Sequence, residues 1–258
     1  MKRICIIGNS HITALKSAWD NLQTEFPDIQ ITFFGAFLPL LKSGGLVVSK
    51  GCLRPRGAEL RESFVQTSGG LPDISGQYDA YLTCGLRFGI DGMEALCLRY
   101  RAEAHVRDDR RPVSDAFYLT CMKVLLNATA SVEIVRFLQQ ITAAPVWVLP
   151  QPMPGEERTG TAVDRLDEVG DDQTVRNALI EAMLQVAKEN HFTLLHQPEV
   201  TLSRPLKTKS IYTRGAHILS GGMNKPFPRE DHVHMNADYG CLVMRPWIAT
   251  LSQAAPTS

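Results

Sequence analysis

The sequence lacks the features that mark polyanion-binding, membrane-spanning and metal-clustering proteins. It has no excess of either charge: 27 Lys and Arg stand against 27 Asp and Glu. A nucleic-acid partner calls for a basic excess or a basic face, so none is expected. No apolar run approaches the roughly 20 residues of a membrane-spanning helix, and no membrane association is expected. The apolar stretch Ile4 to Ile7 near the N-terminus is too short for a signal-peptide core, so a cytoplasmic location is expected. The six cysteines (Cys5, Cys52, Cys84, Cys97, Cys121 and Cys241) include no C-x-x-C pair, which removes the thioredoxin-type and common zinc spacings. Cys5 and Cys84 lie in apolar runs and read as small buried thiols. The mixed run from Arg107 to Arg111 reads as a solvated loop or helix end.

What is present is ordinary globular material, with 44% apolar and 21% charged residues. A chain of 258 residues can bury the core of one large α/β domain, and no repeat or linker-like boundary divides it, so one domain over 1–258 is expected. Residues 3–8 are rich in isoleucine and end at Gly8, as a buried parallel strand does. From Ile12 to Phe26 the residues Ile12, Leu15, Trp19 and Leu22 share one helical face, and Pro27 ends that helix. Ile29 to Phe34 reads as a second strand. Further strands are expected at 78–84, 145–149 and 192–195. Helices are expected at 115–141 (one long or two shorter), 174–190 and 236–251. Residues 42–77, punctuated by glycine, read as a long loop region with a hairpin near Leu46 to Ser49. Residues 155–172 read as a mobile polar loop, and 198–230 as a long loop. The order strand–helix–strand implies a three-layer α/β/α sandwich on about five parallel strands. Its active site would lie at the carboxyl ends of those strands.

Two segments carry candidate chemistry. Gly8-Asn9-Ser10-His11 leaves a buried strand and opens a helix. That puts the Ser10 hydroxyl at the sheet rim, beside the positive end of a helix dipole. Ser10 can equally be a plain helix N-cap, and the turn can equally take a phosphate. Against a nucleotide site, no G-x-G-x-x-G follows the strand, and the chain has no Walker-type Gly-Lys-Ser/Thr. The second segment, Asp231-His232-Val233-His234-Met235-Asn236, precedes the last helix, and Asn236 suits its N-cap. Asp231 and His234 are three apart, close enough for the carboxylate to reach Nδ1 and leave Nε2 free to take a proton from a serine. His232 reads as a chance surface histidine. His191 and His196 read as structural. Asp231, His232 and His234 lack a fourth ligand at a recognisable spacing, so no metal site is expected.

Taken together, Ile6-Ile7-Gly8-Asn9-Ser10 and the Asp-x-x-His of residues 231–234 resemble the first and last motif blocks of the SGNH (GDSL-type) hydrolases. Those blocks commonly read Gly-Asp-Ser and Asp-Gly-Val-His-Leu-Asn. The resemblance implies a flavodoxin-like fold, with Ser10 as nucleophile, His234 as general base and Asp231 as its orienting acid. It implies no cofactor. Two positions depart from the pattern. Asn9 stands where the family has aspartate, a residue with a mainly structural role. After the third strand the family has Gly-x-Asn, whose asparagine helps to form the oxyanion hole. Here Gly85 matches, but Arg87 stands in the asparagine's place. An arginine can donate to an oxyanion or hold an anionic substrate group, and the exchange can also mark weakened or lost hydrolysis. For the family's other oxyanion-hole glycine, Gly35, Gly44 and Gly45 all fit loosely, with Gly45 preferred.

The resemblance therefore implies an esterase or acyl-transfer enzyme acting on a small-molecule or carbohydrate ester, such as an O-acetyl group, or on a simple lipid ester. Trp147 and Phe88, near strand ends, are candidates for an apolar or sugar-stacking wall, although core packing suits Trp147 better. The competing reading, prompted by Arg87, is a catalytically weak or inactive binding protein on the same scaffold.

Overall fold

The isoleucine-rich run that opens the chain is suited to the middle of a sheet, because β-branched side chains pack well on both faces of a buried parallel strand. It forms β1 (Lys2–Gly8), with Ile4 to Ile7 almost wholly buried. The computed structural model describes residues 1–42, 44–103, 105–220, 223–226 and 231–253. Four more strands join β1: β2 (Ile29–Gly35), β3 (Ala80–Cys84), β4 (Val146–Leu149) and β5 (Thr193–Leu194). The sheet runs β5-β4-β3-β1-β2 and every pairing in it is parallel. This is the flavodoxin-like order, and its switch point lies between β1 and β3, where loops leave in opposite directions and open a crevice.

Alternation along the strands divides the core in two. Ile4 and Ile6 of β1 and Ala80, Leu82 and Cys84 of β3 face α1 (Ile12–Leu22) and the C-terminal helix Ala237–Gln253. Cys5, Ile7, Phe34 and Tyr81 face the opposite way. That second face is covered by α2 (Ala58–Ser68), α3 (Asp115–Asn127), α4 (Ala130–Leu138) and α5 (Asp172–Glu189); the C-terminal helix is therefore α6. The arrangement is a three-layer α/β/α sandwich. A polar contact in mid-core is satisfied: the hydroxyls of Thr83 on β3 and Ser131 on α4 are 2.7 Å apart.

Several expectations need correction. The 42–77 region contains the hairpin, with Leu46–Ser49 paired to Cys52–Pro55 around Lys50-Gly51, both at positive φ as a type I′ turn requires. It also contains α2, read from the sequence as loop. Leu60 and Phe64 drive that helix onto the sheet, with the Phe64 ring edge-on to Phe34 at 5.3 Å. The 155–172 segment is not a bare loop. A short helix, Ala162–Glu168, is held by a capping box between Thr161 and Asp164, and it buries Ala162, Val163 and Leu166. The 107–111 run is not wholly solvated either. Arg110 is buried and bridges Asp108 and Asp171, each at 2.7 Å, with His105 Nδ1 3.1 Å from Asp171. The 115–141 region takes the second of its two expected forms, a pair of helices. Thr129 adopts extended backbone between them, and its hydroxyl donates to the Leu126 carbonyl at 2.7 Å. Within 198–230, two short strand pairs form, Leu202–Arg204 with Lys207–Thr208 and His217–Ser220 with Met223–Pro226. The parts at 221–222 and 227–230 lie outside the described residues.

Helices α1 and α6 cross closely because small residues meet there. A Cβ on Gly240 would stand 2.2 Å from the Ala14 carbonyl oxygen and 2.7 Å from the Ala18 Cβ. Gly240→Ala should therefore force the two helices apart and cost about 1–3 kcal/mol. Thermal unfolding should then show a Tm lower by at least about 3 °C; an unchanged Tm would mean that the crossing adjusts freely.

Candidate active site

The turn after β1 is built around close approach. A Cβ on Gly8 would lie 2.7 Å from the Cys84 carbonyl oxygen, so only glycine lets β1 end this near to β3. Asn9 is buried, and its side-chain oxygen accepts the Leu86 amide at 3.3 Å. That contact ties the turn after β1 to the turn after β3, and it fits the structural part expected of Asn9. The Ser10 carbonyl accepts the Thr13 amide and hydroxyl at 3.3 and 2.8 Å, starting α1. The Ser10 hydroxyl does not cap the helix. It lies 2.7 Å from His234 Nε2. The amides of Ser10 and His11 donate to no group among the described residues, as expected of the first turn of a helix.

The other half of the site comes from the loop before α6. Asp231 accepts the Val233 and His234 amides through Oδ1, at 2.8 and 3.0 Å, and meets His234 Nδ1 through Oδ2 at 2.8 Å. Burial pushes the Asp231 carboxyl up. The His234 hydrogen bond and the two amides outweigh that and hold it at about 2. Asp231 thus stays ionised and fixes the His234 tautomer with Nε2 toward Ser10. Neighbouring segments clamp this loop. The Asn236 side chain donates to the carbonyls of Ile211 and Arg214, at 2.8 and 2.9 Å, and caps α6 by accepting the Tyr239 amide at 3.2 Å. The Gly155 amide donates to the His232 carbonyl at 2.7 Å. His232 is not idle: Nδ1 lies 3.3 Å from Glu157, which also pairs with Arg214.

His11 follows the serine directly, and the sequence places it at the helix start facing the pocket without giving it a chemical part. Its ring stacks on His234 with centroids 5.0 Å apart, and its Nδ1 is buried with no hydrogen-bond partner among the described residues. Burial, aided by His234, lowers its pKa to about 3 against the opposing pull of Asp231, so it is neutral beside the pair. Its position directly after the serine was the only signal in the sequence.

The remaining expected residues divide. Gly85 is at φ +74, where a Cβ would meet the Asn9 side-chain oxygen at 2.5 Å; its own amide donates to the Leu149 carbonyl at 3.0 Å. The Gly45 amide donates to the Lys42 carbonyl at 3.0 Å, and the Gly35 amide to the Thr67 hydroxyl at 2.9 Å. These three amides are committed elsewhere and are not free oxyanion donors. Arg87 is exposed, in the turn after β3. Phe88 is buried against Phe192, so it offers no wall to a substrate, and Trp147 packs edge-on to Trp247 at 6.0 Å.

Two outcomes follow. A Cβ at Gly155 would stand 2.9 Å from both the His232 carbonyl oxygen and the Thr213 methyl. Gly155→Ala should shift the 231–234 loop and lower the rate at which an organophosphonate labels Ser10 by at least about tenfold, since displacements near 1 Å can cost 10²-fold; an unaltered labelling rate would show that the clamp does not set the geometry. Asp231, held below its ordinary value, adds stability that is fully present above about pH 4 and lost as pH falls toward about 2. Asp231→Asn should remove that part, so acid unfolding curves of the two proteins should converge between those pH values rather than run parallel.

No protein-family model and no curated protein matches the chain. Among solved structures, a GDSL-like lipase from Bacteroides thetaiotaomicron is 12% identical over 97% of this chain and 89% of its own, with a TM-score of 0.41. A DUF4886-family protein from Bacteroides uniformis is 10% identical over 98% and 83%, with a TM-score of 0.47. Phospholipase A1 from Streptomyces albidoflavus is 12% identical over 96% and 98%, with a TM-score of 0.45. At these values the roles of individual residues rest on the geometry of this chain alone.

Proposed function

We propose that the chain is a serine ester hydrolase of the SGNH type, working as one domain. The observation that carries this reading is the unbroken relay from Ser10 Oγ through His234 to Asp231, with contacts of 2.7 and 2.8 Å. His234 Nε2 takes the Ser10 proton as Oγ attacks the ester carbonyl. The imidazolium that forms is stabilised by the Asp231 carboxylate. The amides of Ser10 and His11, which donate to no group among the described residues, stand at the positive end of α1 and are the proposed donors to the developing oxyanion. His234 then returns the proton to the leaving alkoxide. A water, or an acceptor alcohol in a transferase variant of the same chemistry, resolves the acyl-enzyme. Small acyl esters, including O-acetylated carbohydrate, are the proposed substrates. The six free thiols accord with a cytoplasmic location. Among the described residues no helix is long and apolar enough to cross a membrane.

One observation favours a second reading, a binding protein with weak or no turnover. The asparagine position holds Arg87, and the glycine amides that would complete the oxyanion hole are already hydrogen-bonded elsewhere. Hydrolysis of p-nitrophenyl acetate and butyrate separates the two. The hydrolase reading expects Ser10→Ala to lose at least roughly 10³-fold in kcat/KM, with wild-type kcat/KM rising with pH as the base loses its proton. Equal rates for wild type and Ser10→Ala, with no labelling of Ser10 by an organophosphonate, would leave the binding protein.

A further inference from the structure

A cavity of about 290 Å³ opens between the loops that follow β2 and β3 and the junction of α3 with α4. Leu38 and Lys42 line it from the first loop, Leu86 and Arg87 from the second, and Thr129 and Glu133 from the junction. Because β2 and β3 flank β1 in the sheet, these two loops stand on either side of the turn that carries Ser10. The contact with that turn is direct. The Leu86 amide is held by Asn9, and Gly85 packs against Asn9 and His11, the two residues on either side of Ser10.

Arg87 is placed in the cavity wall by an uncommon backbone. Gly85 to Phe88 form a tight turn closed by the Phe88 amide on the Gly85 carbonyl at 3.0 Å, with Leu86 at φ +55 and Arg87 at φ +62. Side-chain-bearing residues rarely adopt this conformation, and where they do, they gather at binding and catalytic sites. The charges are also uneven. Arg87 and Arg158 both flank Asp91, whose carboxylate is already engaged by Gln151. Neither Lys42 nor Arg87 has a carboxylate within ion-pair distance among the described residues. Lys42 and Arg87 against Glu133 leave the lining with one uncompensated positive charge, which matches a single negative charge on a ligand. A guanidinium presents a planar fork suited to a carboxylate.

We propose that this cavity holds a carboxylate borne by the ester substrate, with Arg87 and Lys42 as its cationic partners, in place of the oxyanion contact that an asparagine at position 87 would make. The cavity is small for a ligand site, so the carboxylate belongs to a compact group rather than to a long acyl chain. The inference rests on the hydrolase reading for its kinetics but not for its binding.

Two ester pairs test it, each matched except for charge: 4-acetoxybenzoate with 4-acetoxybenzamide, and mono-4-nitrophenyl adipate with its methyl ester. In at least one pair, wild-type kcat/KM should favour the anionic ester by about tenfold at low salt, the scale of one partly exposed charge-assisted contact. In Arg87→Gln and in Lys42→Gln that preference should fall toward unity. No preference in either pair, or a preference that both variants keep, overturns the proposal. So does an equal loss of about 10²-fold on both members in Arg87→Gln, which is the signature of an oxyanion donor. If wild type cleaves neither ester, the hydrolase reading has failed by itself. Calorimetric binding of 4-hydroxybenzoate and adipate against their amides then decides. Tighter binding of a carboxylate, lost in Arg87→Gln, sustains the site, and equal binding of acids and amides overturns it.

Discussion

The crossing of α1 and α6 is the contact on which the rest of the molecule depends. Ala14, Ala18 and Gly240 let the two helix backbones approach far closer than larger side chains would allow. Each helix begins just after one member of the Ser10–His234 pair: α1 two positions beyond Ser10, α6 three positions beyond His234. Bringing the helices together therefore brings the hydroxyl and the imidazole together. The sheet supplies the other constraint. Gly8 lets β1 end close against β3, so the serine turn and the turn through Arg87 share a wall through Asn9.

Within that frame the polar groups are arranged so that a buried charge has partners. Asp231 takes two amides and an imidazole, which outweigh the desolvation of its carboxylate. Met235, next in the loop, is inserted in the core beneath α1 and α6, so the histidine is anchored by apolar packing as well as by hydrogen bonds. The same economy appears far from the site. Asp171 is fully buried, yet it meets Arg110, His105 and the Val106 amide, and so fixes the excursion between β3 and α3 onto the start of α5.

Much of this was legible in the sequence because it is local or periodic. The buried strands announce themselves as short apolar runs, α5 by its spacing, and the two reactive segments by residue types that physical chemistry pairs. The parallel sheet of a three-layer sandwich follows from the order of those elements, and its flavodoxin-like character was implied by the resemblance of the two motif blocks. What was not legible depends on partners distant in the chain. Helix α2 turns only Leu60, Phe64 and Thr67 inward and sits among glycines, so its spacing was hidden, although Gly57 before it and Gly69 after it were usable signals. Arg110 looks like a surface residue until Asp171, 61 positions later, is known to face it. Gly45 had the right composition for an oxyanion donor, but its amide closes its own turn on Lys42. Phe88 stood at a strand end and was drawn inward by Phe192. The stacking of His11 on His234 joins residues from opposite ends of the chain.

The serine and the histidine that meets it are separated by 224 positions, nearly the full length of the sequence. A ribosome has therefore to add the 224 residues that follow Ser10 up to His234, the rest of the sheet among them, before the two can touch. Until α6 docks on α1, the early-made half carries the Ser10 hydroxyl without its His234 contact. The pair is thus one of the last contacts of the fold that synthesis makes available. A truncation before residue 231 leaves Ser10 in place while deleting both His234, its hydrogen-bond partner, and Asp231.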